Sequence, residues 1–275
     1  VILGFNMRQG PLADKGLRRA LAEGLDKDEL IRRTLDGRVG RLDTPILPGW
    51  WAAVEKPEWY PADPQRAGGA LDALGYIPGG DGIRARDGTP LELPLITADD
   101  PDRLAVANEI ARQWGQIGVK VNVQPLDGDT LRRRLAGHDF TLALYGVQRL
   151  GADPDVYELW HSSQVESGNN YAGLQDDQID ELLTNARRDR DIPTRMPLYE
   201  AFQRRWVDLA PSIMLYQPLF VYAATDELEG LDFGPRAGAS ADVASSQLLL
   251  GREGRYRSVT RWFIRSAREI QGELR

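Results

Sequence analysis

An α/β lobe is the fold class the sequence predicts, and two observations carry that expectation. The first is a strand–helix–strand unit. Leu91, Leu93 and Leu95 alternate, residues 99–118 carry Leu104, Ala107, Ala111, Trp114 and Ile117 at helical spacing, and Val119, Val121 and Val123 alternate again. Such a unit predicts parallel strands joined by a right-handed crossover. The second is that helical and extended patterns interleave on both sides of this unit, which is the mark of a sheet covered by helices.

Taken in order, Val1 to Phe5 reads as a β-strand. Asp14 caps a helix with Leu17, Leu21 and Leu25 on one face. Asp26 and Glu29 form a capping-box pattern for a second helix, with Leu30, Ile31 and Leu35 as its stripe and Gly37 as its stop. The stretch 41–60, with Pro45, Pro48, Pro57 and the pair Trp50-Trp51, predicts a long ordered loop. Asp63-Pro64 starts a short helix through Leu71 and Leu74 that Gly75 ends. The run Gly79-Gly80-Asp81-Gly82 predicts a hairpin turn leading into Gly88-Thr89-Pro90. Beyond the central unit come a helix over 130–135, a strand over 140–145, helices over 177–188 and 192–209, and a strand over 213–223. Residues 230–254 are rich in Gly, Ala and Ser and read as irregular. The tail 255–275 places Trp262, Phe263 and Ile264 among charges, as a strand or helix meant to pack on something.

Composition narrows the functions. The net charge is −7 with basic residues scattered among acidic ones, which argues against a nucleic-acid surface. The absence of cysteine excludes disulfides, thiolate metal sites and cysteine nucleophiles. No apolar run approaches the roughly 20 residues of a membrane span. His138 and His161 lie far apart with no metal-ligand spacing, so neither a metal site nor a cofactor is expected. The opening strand is already under way at Val1 without an initiator Met, which suggests an upstream portion carrying any export signal.

Several short stretches then fall in a specific order: Leu3-Gly4-Phe5-Asn6-Met7, Leu17-Arg18-Arg19-Ala20-Leu21, Pro45-Ile46-Leu47-Pro48-Gly49, and Trp114 with Ile117-Gly118-Val119. They continue as Asp139-Phe140, Tyr145-Gly146, Asp153-Pro154-Asp155, Trp160-His161-Ser162-Ser163, Asn170-Tyr171 and Leu215-Tyr216. In order and spacing the chain resembles the family 5 extracellular solute-binding proteins, which serve ABC importers. The resemblance implies a periplasmic-binding-protein-like lobe of type II, with a mixed, largely parallel sheet flanked by helices. It implies a parent about twice as long, folded as two lobes that enclose a peptide or similar polar solute. Residues 1–8 would be a hinge strand from the missing N-terminal lobe, 9–212 the C-terminal ligand-binding lobe and 213–225 the returning hinge strand. Residues 226–275 would pack on or toward the N-terminal lobe. The implied partners are that lobe and the permease subunits, and the implied location is periplasmic or extracellular, with a lipid anchor left open.

Candidate ligand contacts follow. Tyr145, Gln148 and Arg149 come after a buried strand and combine stacking, amide and guanidinium donors; the alternative is an ordinary surface loop. Asp153 is either a ligand-facing carboxylate at a strand end or a helix cap. Trp50 and Trp51 form either an aromatic wall or a pair split between core and surface. Asn6 and Tyr216, on the implied hinge strands, either line the cleft floor or simply pack. Peptide binders of the resembling family carry an Asp that pairs with the peptide ammonium, and here that position aligns with Leu150; a slip in the alignment would put Asp153 there. The usual Trp after the glycine is Val147. These departures leave oligosaccharides, blocked peptides and metal chelates open as ligands. A hydrolase using Asp153 and Asp155 is a rival reading, yet carboxylates two residues apart do not span the roughly 5–9 Å that sugar hydrolysis needs without a special turn.

Overall fold

The apolar run at the start of the chain forms strand β1 (Ile2–Phe5), buried at every residue. A strand covered on both faces reads as a continuous apolar run instead of an alternating one. The computed structural model describes residues 1–54, 60–148 and 153–219, and the backbone of two short strands at 228–229 and 263–264. The chain divides into one unit of Val1–Val147 with Pro154–Pro218 and another of Gln148–Asp153 with Leu219–Arg275.

In the first unit, Asp14 caps α1 (Lys15–Glu23) by accepting from the N–H groups of Gly16 and Leu17. Asp26 caps α2 (Lys27–Thr34) by accepting from Glu29 N–H. The reciprocal half of the expected capping box does not form. The Asp26 N–H donates to Gln113 Oε1 at 2.7 Å, and Glu29 pairs with Arg112. After left-handed turns at Asp36 and Gly37 comes β2 (Val39–Arg41), which precedes the predicted loop and shares only Arg41 with it. Helix α3 (Pro64–Ala73) is capped by Asp63 with proline in its first turn. The predicted hairpin pairs β3 (Ile77–Pro78) with β4 (Arg84–Arg86), and a third strand, β5 (Thr89–Pro90), extends it. Asp87 and Gly88, with φ of 52° and 77°, make the second turn, as a two-residue hairpin that follows strand twist requires.

The central unit is β6 (Glu92–Ala98), α4 (Pro101–Gln116) and β7 (Lys120–Leu126), with Asp100 as the helix cap. The two strands pair in parallel, as predicted. Next come α5 (Gly128–Ala136), β8 (Leu142–Tyr145), the short α6 (Tyr157–Trp160), α7 (Asp177–Arg188) and α8 (Ile192–Leu209). The strand expected over 213–223 breaks at Leu215. Its first part, β9 (Ser212–Met214), joins the main sheet, and β10 (Tyr216–Pro218) pairs with β2. Residues 220–223 lie outside the described residues, as do 55–59 with Pro57.

The main sheet runs β7-β6-β8-β1-β9. The β6–β7 and β6–β8 pairings are parallel, while β1 is antiparallel to both β8 and β9. The sheet is therefore mixed and largely parallel: four strands run one way, and β1 runs against its neighbours on both sides. Residues two apart share a face. Leu3, Phe5, Leu93, Leu95, Leu142, Leu144 and Ile213 enter one core with Leu17, Leu21, Val106, Ile110 and Trp114 of α1 and α4. Trp114 also donates its indole N–H to Leu21 O at 3.0 Å. A smaller core lies between α6, α7 and α8, where Trp160 meets Trp206 edge to face at 5.2 Å.

In the second unit, β11 (Leu228–Glu229) pairs antiparallel with β12 (Phe263–Ile264), so the tail contains a strand at Phe263. The remainder of 226–275, and with it the expected packing of the tail, lies outside the described residues.

Candidate functional site

Strand direction decides where a site can form. β6, β7, β8 and β9 all end at one edge of the sheet, and β1 begins there, since Ile2 pairs with both Tyr145 and Met214. Ligands of open α/β sheets bind outside the carboxyl ends of the strands. This rim carries Gly146 after β8, the first turn of α4 after β6, and Tyr216 after β9.

Arg103, in the first turn of α4, is the cation of the rim. Its guanidinium folds over Gly146, where an added Cβ would meet Nη2 at 2.9 Å, so glycine makes room for it. Its Cζ lies 6.0 Å from the centre of the Tyr216 ring. Nη1 is shielded from solvent and has no hydrogen-bond partner among the described residues. Tyr216 is buried, and burial pushes its hydroxyl pKa up despite the opposing charge of Arg103. Sequence reading passed over Arg103, although a signal existed. A cation in the first turn opposes the helix dipole, and such breaches of a local rule concentrate at functional positions.

The predicted contacts scatter. Tyr145 is a packing residue: its ring lies over Gly4, where a Cβ would approach Cε1 to 2.8 Å, and meets Tyr171 edge on at 5.6 Å. Burial, with Tyr171 adding to it, pushes its hydroxyl pKa well up, so this group stays protonated. Asn6 lies at the opposite edge of the sheet, which corrects its expected place on a cleft floor shared with Tyr216. Its amide is spent there, donating to His138 O at 2.9 Å and Phe140 O at 2.8 Å and accepting from Arg8 N–H. Gln148 is exposed, Asp153 is exposed, and Arg149 and Leu150 lie outside the described residues. Trp50 is buried, and Trp51 meets Tyr199 edge on at 5.6 Å with Arg195 over its ring at 5.0 Å. The pair is thus split, with Trp51 set against α8. The loop that carries it is tied to α8 by Gln203, which accepts from Thr44 Oγ1 and donates to Ala52 O.

The rival chemistry fares worse. Asp155 accepts from Tyr157 N–H at the start of α6 and pairs with Arg187, so its oxygens are committed. Arg187, Tyr157 and His161 form a stack, at 4.1 Å and 4.0 Å. A Ser-His-Asp relay needs histidine between the other two. Here the Ser162 hydroxyl bonds Asp180 directly, and His161 Nδ1 accepts from Ser163 N–H. No cluster of metal-ligating side chains occurs among the described residues, and no helix there is long and apolar enough to cross a membrane.

Comparison with known proteins agrees with this geometry. Residues 1–169 match the family described as bacterial extracellular solute-binding proteins, family 5, middle. The oligopeptide-binding protein AppA of Bacillus subtilis is 27% identical over 243 residues, covering 86% of this chain and 44% of the relative. Its solved structure with a nonapeptide superposes with a TM-score of 0.73 at 22% identity, over 96% of this chain and 50% of that one. The di/tripeptide-binding protein 2 of Pseudomonas aeruginosa is 30% identical over 238 residues, 84% of this chain and 42% of the relative. NikA of Brucella suis, solved with Fe(III)-EDTA, gives a TM-score of 0.70 at 25% identity over 79% of this chain and 44% of that one. The chain spans less than half the length of the curated relatives it matches. By the family match and by identity spread over most of its length, the chain belongs to the family 5 bacterial extracellular solute-binding proteins.

Proposed function

We propose that this chain is the ligand-holding C-terminal lobe of a solute-binding protein that delivers a peptide or similar polar solute to an ABC importer. In this reading residues 9–212 form the lobe, 1–8 and 213–225 are the two crossings to a second lobe, and 226–275 return toward that lobe. One observation carries it. β1 and β9 lie side by side in the sheet, and β1 begins where β9 ends, at the rim that holds Arg103, Gly146 and Tyr216. Two adjacent crossings at the binding rim form a hinge, and a solute bridging the lobes shifts the population toward the closed form that a permease recognises. Peptide as the solute is supported by the names of AppA and the di/tripeptide-binding protein. The protein binds without catalysis and works in the periplasm or outside the cell.

A metal chelate is the second reading. It is favoured by Leu150 standing where an ammonium-binding Asp would align, and by NikA among the structural neighbours. A thermal-shift screen of the whole protein against peptides, oligosaccharides and metal chelates tests both readings. A ligand class that raises the melting temperature identifies the solute. No response to any of the three sinks the importer reading.

A further inference from the structure

We infer that a groove at the edge of the sheet opposite the rim binds a carboxamide, the group of a peptide bond or of a small free amide. This goes beyond the solute-binding reading and does not depend on it. The groove has a volume of about 440 Å³ and lies between α3, the β3–β4 hairpin and the end of α4. That volume falls in the range of roughly 300–1,000 Å³ typical of ligand sites. Arg84 fixes its place at the amino ends of β6 and β7. The Arg84 backbone N–H donates to Gly118 O at 2.8 Å, and its O accepts from Leu91 N–H at 2.7 Å.

Two independent features mark the groove as a site. Arg84 is buried, with 8% exposure. Its Nε donates to Ile117 O at 2.7 Å, and its Nη1 donates to Tyr76 O at 2.7 Å and to Asp72 Oδ1 at 2.5 Å. Nη2 bonds no described residue. It faces the groove, where a Cβ on Gly68 would come within 3.3 Å of it. A spare donor on a buried charged group is costly to leave unmade. The second feature is the pair Gly68-Gly69 inside α3, which costs helix stability at both positions. Both line the groove, and no atom lies within 4 Å of the place a Gly69 Cβ would take, so packing does not require that glycine.

The chemistry follows from the lining charges. Arg84 and Asp72 are the two charged residues of the groove and they cancel, so a net ion gains little there. Joined through Nη1 and Oδ1, they leave Nη2 as a donor and the second oxygen of Asp72 as an acceptor. A carboxamide presents the complement, its C=O to the guanidinium and its N–H to the carboxylate, with each bond strengthened by the protein's charge. The exposed Gln65 and Gln116 add amides of their own at the groove wall. The bare helix surface at Gly68 and Gly69 lets a flat group approach the backbone.

The test uses the whole protein that contains this chain, isotope-labelled at its glycine nitrogens for NMR. The Gly69 N–H signal, identified by its loss in Gly69→Ala, reports on the groove and not on the rim. The probes are acetamide, N-acetyl-Gly-Gly-amide, sodium acetate and methyl acetate, the last an acceptor without an N–H. A saturable shift with an amide, and a weaker response or none with acetate and methyl acetate, is expected. Binding of the peptide amide about 10-fold more tightly than acetamide would name a polypeptide stretch as the source, and equal binding a small free amide. Gly68→Ala, which sets a methyl against Nη2 and favours the helix, should abolish the shift without lowering the melting temperature. Asp72→Ala, at an exposed side chain, should weaken acetamide about 3- to 10-fold and turn the preference to acetate, because Arg84 then stands uncancelled. If Gly68→Ala does not fold, Asp72→Ala decides alone. Solute binding at the rim, read by thermal shift, should survive in both variants. No shift with either amide, a wild type that favours acetate or methyl acetate, or an unchanged response in a folded variant overturns the inference.

Discussion

Gly4 sits where the central strands let an aromatic ring lie against the backbone. A Cβ there would press on Tyr145 Cε1 at 2.8 Å, and the ring is held on its other side by Tyr171. Gly4→Ala is therefore expected to cost about 1–3 kcal/mol through overpacking, read by urea denaturation. Gly4→Ala with Tyr145→Leu should recover part of that loss; strict additivity of the two changes would mean they do not touch. His138 is a second residue with a structural task that its sequence conceals. Its ring nitrogens lie 2.9 Å from Tyr171 O and from Val165 O, and its backbone is left-handed with φ of 52°. It ties the segment after β8 to the edge where Asn6 is anchored. His138→Ala should cost about 2 kcal/mol or more, for the ring's lost hydrogen bond to a backbone carbonyl and a strained backbone. His138→Asn, which tolerates that backbone better, should cost less. Equal stability of the two variants would remove the backbone part of this account.

At the scale of elements, α2 and α4 are joined by a polar seam. Glu109, buried on α4, accepts from Arg112 and Gln113, and Arg33 of α2 pairs with it. The Arg112 bond outweighs burial and, with Gln113 and Arg33, holds the Glu109 carboxyl below the usual carboxylate range. The folded state thus binds this proton less tightly than the unfolded chain does. The stabilisation is complete above the unfolded pKa, about 4.3, and fades as pH falls through the lower folded value. Glu109→Gln should cost about 1–3 kcal/mol at pH 7, and the gap from wild type should narrow at pH 3.5. A gap of constant size at both pH values would place the effect in packing instead. In α8, Pro197 lies inside the helix and cannot donate to the preceding turn. Pro197→Ala is expected to raise the melting temperature, by about 1 kcal/mol or more of stability.

For the whole molecule, the proposed two-lobe reading makes the described rim one side of the site. A ligand that touches one lobe only has little differential affinity for a closed form. This chain by itself should therefore bind the solute of the whole protein at least about 10-fold more weakly, a difference that parallel calorimetry would show. Comparable affinity would mean that this lobe contains the full site.

The sequence alone determined what local chemistry determines. Asp14, Asp26 and Asp63 start their helices, and α7 and α8 keep the bounds their apolar spacing predicts. The β6–α4–β7 unit was legible because both strands and their crossover lie within one continuous stretch. The tertiary structure decided the rest, because the partners involved are far apart in the chain. Only the register shows that β1 runs against both neighbours, and that direction puts Asn6 at the edge away from Tyr216. Only pairing with β2 breaks the last strand at Leu215. The same holds for function. The family could be read from ordered short motifs, but Tyr145 turned into the core and Arg103 emerged at the rim. Where a side chain points depends on the space its neighbours leave, and at Arg103 that space is the missing Cβ of Gly146.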